Sequence, residues 1–160
     1  GAGWGAGGGA GPLAVHGRPG WAVDRQWRPP KGRRGLMLID PPFEAQDDEF
    51  RFIEQALGDA AARWPNGMIA IWYPIKLRQQ VQPFHRWLAN GPFGKVLVAE
   101  LLLHPDNSGL RLNGCGMAII NPPWKFDQQL ETLLPALQEL LAQGRYGQHR
   151  VEWLTGRQTG

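Results

Sequence analysis

Residues 33–44 read RRGLMLIDPPFE, and the fold turns on how positions 36–43 of that stretch are read. Leu36, Met37, Leu38 and Ile39 are apolar without a break, whereas a strand with one wet face would alternate apolar and polar residues. The run therefore predicts a strand buried on both faces, as in a sheet covered by helices on each side. It ends at Asp40, because Pro41 and Pro42 have no N–H to donate to a ladder. An α/β class follows, with Asp40-Pro41-Pro42-Phe43 at the carboxyl end of a central strand.

Downstream, residues 47–63 (DDEFRFIEQALGDAAAR) set Phe50, Ile53, Ala56, Leu57 and Ala60 at helical spacing behind an acidic first turn, which favours a helix N-terminus. Asn66-Gly67 breaks the chain, residues 68–73 (MIAIWY) form a second buried strand closed by Pro74, and residues 77–88 form a second helix with Arg78 and Arg86 exposed. Residues 95–103 (KVLVAELLL) are a third strand, 104–113 a loop and 116–120 a fourth strand. Residues 127–143 form a third helix with Leu130, Leu133, Leu134, Leu137, Leu140 and Leu141 on one face, and 150–154 form a short closing strand. Strands separated by helices imply mainly parallel pairing with right-handed crossovers. Residues 95–120 hold two strands and no helix, which implies an antiparallel hairpin at one edge of a mixed sheet.

At 160 residues and 42% apolar content the chain suits one domain with a real core. No stretch approaches the roughly 20 apolar residues of a membrane helix, so a soluble, cytoplasmic protein without a membrane partner is expected. The lone Cys115 excludes an internal disulfide and a cysteine-cluster zinc site; its thiol is expected reduced and buried. His104 and Asp106 lack a third ligand at suitable spacing, so no metal is expected. His85 and His149 read as surface residues. The net charge of +3 is uneven: Arg18, Arg25, Arg28, Lys31, Arg33 and Arg34 face only Asp24 within residues 1–35, and the remainder is slightly acidic. The basic balance therefore belongs to the first segment and does not make the whole domain a nucleic-acid binder. Residues 1–32 are rich in Gly and Pro and supply few side chains to bury; they read as a disordered or aberrant segment ahead of the domain at 33–160.

A second strand delivers Asn121-Pro122-Pro123-Trp124, in the same grammar as Asp40-Pro41-Pro42-Phe43. Open α/β sheets bind ligands beyond the carboxyl ends of their strands, where both tetrapeptides are expected. The sequence Asp/Asn-Pro-Pro-aromatic is similar to the catalytic loop of amino-group methyltransferases, and the chemistry accounts for the residue types. The lone pair of an exocyclic adenine amine is delocalised into the ring, so an Asp side chain and the carbonyl between the prolines must accept both amine hydrogens to localise it for attack on a methyl group. The aromatic residue stacks on a base withdrawn from its helix. For Asn121 and Trp124 packing competes with substrate contact. Trp72 and Tyr73 end a strand on the Asp40 side and are candidates for the base pocket, against ordinary packing. Lys76, Arg78 and Lys125 are candidates for RNA phosphates, against solvated helix faces.

Three separated stretches, RRGLMLIDPPFE at 33–44, IAIWYPIKLRQQV at 69–81 and GMAIINPPWKFDQQLETLLPAL at 116–137, together resemble the bacterial 23S rRNA adenine-N6 methyltransferase J family, also named for utilisation of external DNA. The resemblance spans about residues 31–155. It implies a Rossmann-like fold, S-adenosylmethionine as methyl donor, and one adenine of 23S rRNA, protein-free or early in assembly, as substrate. It also implies that Asp40, Pro41, Pro42 and Phe43 form the catalytic loop, with Asp40 near both the amine and the donor. The family carries its glycine-containing donor motif and further strands before the Asp-Pro-Pro strand, and these are not found here, so the expectation is the C-terminal half of the domain. An unpaired edge on the strand at 36–39 would then invite self-association. The alternatives are a non-catalytic nucleic-acid-binding or interaction fragment, and an adenine methyltransferase acting on DNA.

Overall fold

The computed structural model of the chain describes residues 13–16, 36–40 and 49–156. In chain order the elements are β1 (Leu13–His16), β2 (Leu36–Asp40), α1 (Glu49–Arg63), β3 (Met68–Ile75), α2 (Arg78–Asn90), β4 (Val96–Leu102), β5 (Gly114–Ile120), α3 (Phe126–Ala142) and β6 (Gln148–Thr155). One six-stranded sheet holds them in the order β1-β2-β3-β5-β4-β6.

β1, β2 and β3 pair in parallel. The pairings β3 with β5, β5 with β4, and β4 with β6 are antiparallel. The expected mainly parallel sheet is thus corrected: antiparallel pairs outnumber parallel ones. The hairpin of β4 and β5 is also internal rather than at an edge, because β5 inserts beside β3 while β6 covers the far side of β4. Burial explains the placement: Val96 to Glu100 are buried without interruption, and a strand apolar on both faces needs partners on both sides.

Two further expectations change. Residues 1–12 and 17–32 lie outside the described residues, but within that segment Leu13–His16 form β1, paired from Leu13↔Met37 to His16↔Asp40. Three consecutive apolar residues suffice for a strand, and β2 is thereby paired on both sides, so the bare edge expected at β2 is not there. Pro74 does not close β3, which runs on to Ile75. Its ladder with β2 ends at Ile71, so beyond that point a missing N–H costs no bond on the β2 side.

The core lies on one sheet face, under α1 and α2. Cross-strand rungs Ile69–Ile120–Val96 and Ile71–Ala118–Val98 meet Ile53 and Leu57 of α1 and Val81, Phe84 and Leu88 of α2, all fully or almost fully buried. α1 ends where Trp64 N–H donates to the Ala60 carbonyl (2.9 Å) and the chain turns through Gly67. A Cβ there would lie 1.8 Å from the Trp64 indole, so only glycine lets the ring lie across the turn. α3 packs against β4 and β6 through a narrower face than the leucine spacing implies. Leu134 and Ala142 are buried, whereas Leu133, Leu140 and Leu141 are exposed. Cys115 is a free thiol, half-buried rather than buried. Among the described residues no helix is long and apolar enough to cross a membrane.

Candidate functional site

β1, β2 and β3 run parallel and end on the same side of the sheet, which is where α/β sheets hold nucleotide ligands. Asp40 closes β2 beside His16 of β1. On its other side the pairing Ile39↔Ile71, extended by one residue, puts Trp72 next to Asp40; Trp72 is half-buried. Pro41, Pro42 and Phe43 lie outside the described residues. Lys76 follows β3 at this edge, half-buried, and its carbonyl accepts a hydrogen bond from Asn113 Nδ2 (2.7 Å). Asn113 is almost fully buried and pins the 103–113 loop to the end of β3. Its N–H donates to the Ile75 carbonyl (2.9 Å), its carbonyl accepts from the N–H groups of Leu103 and His104 (2.9 and 3.1 Å), and Nδ2 also donates to the Ser108 carbonyl (2.9 Å). The polar groups of Asn113 itself would otherwise be unpaired at a buried site. Nothing in the local sequence singled Asn113 out, because its partners Ile75 and Lys76 lie more than 35 positions away in the chain and the others in a loop without periodicity.

Tyr73, a candidate for the base pocket, is fully buried and belongs to the core. It packs edge-on against Phe84 (5.3 Å between ring centres), and its hydroxyl donates to Glu100 Oε1 (2.7 Å). The reach is possible because Tyr73, Gly116 and Glu100 are consecutive partners across β3, β5 and β4. A Cβ on Gly116 would come within 2.2 Å of the Tyr73 ring, so the missing side chain is the gap the phenol spans. Arg78, a candidate for RNA phosphates, grips the same carboxylate with both ends of its fork, Nη2 to Oε2 at 2.7 Å and Nη1 to Oε1 at 3.1 Å. Its Nε donates to Asp106 Oδ2 (2.7 Å). His85, expected at the surface, is turned inward with Nε2 3.1 Å from the Tyr73 hydroxyl and 3.3 Å from Glu100 Oε1. His149 is exposed, as expected.

Burial works against the Glu100 charge, but hydrogen bonds from His85, Arg78 and Tyr73 outweigh it and hold its pKa at about 2. Burial, then the neighbouring Glu100 charge and hydrogen bond, push the Tyr73 phenol well above its ordinary range. For Arg78 burial opposes the charge, yet Glu100 and Asp106 raise its pKa above the usual value. Each of these three groups is therefore locked in one protonation state near neutral pH, which suits a brace and not a proton relay. The surface beside them, lined by Arg78, Glu100, Leu102, Gln148, His149 and Arg150, encloses no space that would hold a ligand.

The second tetrapeptide lies elsewhere. β5 is antiparallel to β3, and the pairing Ile69↔Ile120, extended by one residue, sets Asn121 beside Met68 at the amino end of β3. Met68 and Trp72 are four steps apart along β3, about 13 Å at about 3.3 Å per residue. Asn121 and Trp124 are thus on the opposite edge of the sheet from Asp40, and the two tetrapeptides do not share a site. Asn121 Nδ2 donates to the carbonyls of Gly67 (3.0 Å) and Pro65 (3.2 Å), and its N–H donates to the Lys95 carbonyl (2.9 Å). Trp124 is exposed, with Lys125 Nζ 4.3 Å from its ring centre.

A parallel run of strands ending in Asp-Pro-Pro-Phe, followed by an antiparallel strand inserted between β3 and β4, is the Rossmann-like sheet of the methyltransferase class. Residues 11–155 match the model of the family described as ribosomal RNA large subunit methyltransferase D, RlmJ, and the chain belongs to that family. It is 40% identical over 127 residues to ribosomal RNA large subunit methyltransferase J of Haemophilus influenzae and 37% identical over 126 residues to the Escherichia coli protein of the same name. Each alignment covers 79% of this chain and 45% of the relative. A crystal structure of a Legionella pneumophila protein superposes with a TM-score of 0.66 at 29% identity, over 78% of this chain and 45% of that one. The chain spans less than half the length of the relatives it matches.

Proposed function

We propose that this chain carries the catalytic loop of an S-adenosylmethionine-dependent adenine-N6 methyltransferase acting on 23S rRNA in the cytoplasm. The observation that supports it is the position of Asp40: it closes a strand flanked on both sides by parallel strands, at the edge where such sheets bind nucleotides. The family's relatives are named as methyltransferases of large-subunit rRNA. In this reading the Asp40 carboxylate and the Pro41 carbonyl accept the two amine hydrogens of adenine, which localises the nitrogen lone pair. Phe43 stacks on the flipped base and Trp72 flanks Asp40. No strong base is needed, because the amine proton becomes acidic once the nitrogen is alkylated and leaves to solvent. When bound, the donor would supply an electrophilic methyl, and Asp40, at the carboxyl end of β2 beside that of β1, is the residue that would hold it.

Calorimetric titration with S-adenosylhomocysteine, followed by methyl transfer to protein-free 23S rRNA, tests this. Micromolar donor binding, together with transfer that Asp40→Ala abolishes, is expected. A folded chain that binds no S-adenosylhomocysteine would refute the reading and leave a non-catalytic fragment. Undiminished transfer by Asp40→Ala would refute the role of that residue.

A further inference from the structure

The loop between β4 and β5, residues 103–113, stands at the same sheet edge as Asp40, and the proposed chemistry does not use it. β4 and β5 meet at Leu102↔Gly114, and Gly114 in turn pairs with Ile75, the last residue of β3. Trp72, which falls beside Asp40, lies three steps before Ile75, so the loop starts about 10 Å beyond the level of Asp40 at about 3.3 Å per residue. Within it Leu110 is 98% exposed and Leu112 51%.

Scattered surface leucines need no explanation, but these two belong to a loop that is tied down along most of its length. Asn107 bridges to Leu77, the Arg78 N–H donates to the Asp106 carbonyl (3.1 Å), and Arg78 Nε holds the Asp106 carboxylate. The Leu110 N–H donates to Ser108 Oγ (3.3 Å), Arg111 Nε donates to Asn113 Oδ1 (3.0 Å), and Asn113 Nδ2 holds the Ser108 carbonyl. An apolar side chain on such a mount loses little freedom when it binds. Two leucines supply only a small part of the about 800 Å² per partner that a stable protein interface takes. One is enough, however, to enter a gap between stacked bases, an insertion in which leucine recurs. The loop's single carboxylate, Asp106, is paired with Arg78, and Arg111 lies exposed between the two leucines, so the loop's own charges do not repel an RNA backbone.

An adenine reaches Asp40 only after it has swung out of its helix. The helix itself then stays outboard of the reacting atoms, on the side to which this loop rises. We infer that Leu110, with Leu112 two residues on, is a wedge that enters the RNA stack at the step the adenine has left and keeps it open. The inference rests on the rRNA-directed reading above and assigns a residue to the step before methyl transfer; it needs no methyl donor.

The test is chemical probing of unpaired bases across protein-free 23S rRNA, dimethyl sulfate for adenines and carbodiimide for uridines, titrated with the 160-residue chain in the absence of donor. Binding is followed in parallel by filter retention at one fixed salt concentration. The parent is expected to open the RNA at a discrete site. Leu110→Ala should need at least about tenfold more protein for the same reactivity, because it withdraws most of the apolar surface that the stack would cover. Leu110→Met, which keeps a side chain able to insert, should recover most of that loss. Far-UV circular dichroism confirms the fold of each variant, and at 98% exposure the Leu110 side chain has no part in the core. Reactivity that is the same for Leu110→Ala and the parent would overturn the wedge alone, as would a parent that binds the rRNA and opens nothing. A parent that binds no rRNA would overturn the rRNA-directed reading as well. A change in sedimentation on Leu110→Ala with RNA opening unmoved would overturn the wedge in favour of a contact between copies of the chain.

Discussion

Replacing Glu100 by Gln keeps the side chain's shape and removes its charge. The carboxylate is 1% exposed and receives the Tyr73 hydroxyl and both Nη groups of Arg78. An amide in its place turns one acceptor into a donor that faces other donors, and leaves the guanidinium with Asp106 alone. Two estimates of the cost agree. The depression of the Glu100 pKa from 4.5 to about 2 corresponds to about 3 kcal/mol, at about 1.4 kcal/mol per unit. Removing one partner of a buried pair costs about 3–5 kcal/mol by comparison with other proteins. The sign of the pH effect follows from the direction of the shift. The folded-state pKa lies below the unfolded value, so the stabilisation is complete above about pH 4.5 and disappears as the pH falls towards about 2. Urea unfolding followed by circular dichroism at pH 7 should show Glu100→Gln less stable by about 3 kcal/mol with an unchanged denaturant slope. The gap between parent and variant should then narrow as the pH is lowered from 5 towards 2. If Glu100→Gln unfolds outright, Arg78→Lys, which keeps the charge and loses the fork, supplies a milder version of the same comparison. A loss below about 1 kcal/mol, or a gap that stays constant down to pH 2, would refute the brace.

Gly116→Ala should destabilise by about 1–3 kcal/mol, the usual cost of overpacking, because its Cβ would lie 2.2 Å from the Tyr73 ring; thermal unfolding measures it, and a neutral result would show that the phenol can move aside. Asn121→Ala combines a left-handed backbone with the loss of two side-chain hydrogen bonds, so a loss of about 2 kcal/mol is expected in urea unfolding. Asn121→Gly relieves the backbone strain alone and should recover part of that loss.

Much of this fold is legible in local patterns. The strand ending at Asp40, the helices on 49–63, 78–90 and 126–142, and the antiparallel pairing of 96–102 with 114–120 all follow from runs, spacing and the absence of a helix between two strands. Strand order does not, because it is decided by which edges remain unpaired after collapse. Nothing within 114–120 says that this strand will slot between β3 and β4, and nothing within 148–155 says that it will cover β4. The site is legible in the same measure. The positions of Asp40 and Trp72 fall side by side because they belong to neighbouring parallel strands, whereas Tyr73, one residue on, turns to the other face and is absorbed by the core. The exposed appearance of Arg78 and His85 came from their place on a helix; their partner, Glu100, lies in a strand whose neighbours are apolar. A lone carboxylate within such a strand is the one local sign that a buried cation would be found.

The two proline-proline tetrapeptides show how strand direction assigns work that residue type cannot. Each follows a buried strand and precedes a helix, and each places a small polar residue and an aromatic ring about a rigid pair of prolines. In β2 the strand is parallel to its neighbours, so Asp40 arrives where β1 and β3 also point their carboxyl ends and several chain ends can surround one ligand. In β5 the strand is reversed, so Asn121 arrives among the amino ends of β3 and β4, and its amide is consumed in tying the turn at 65–67 to the sheet.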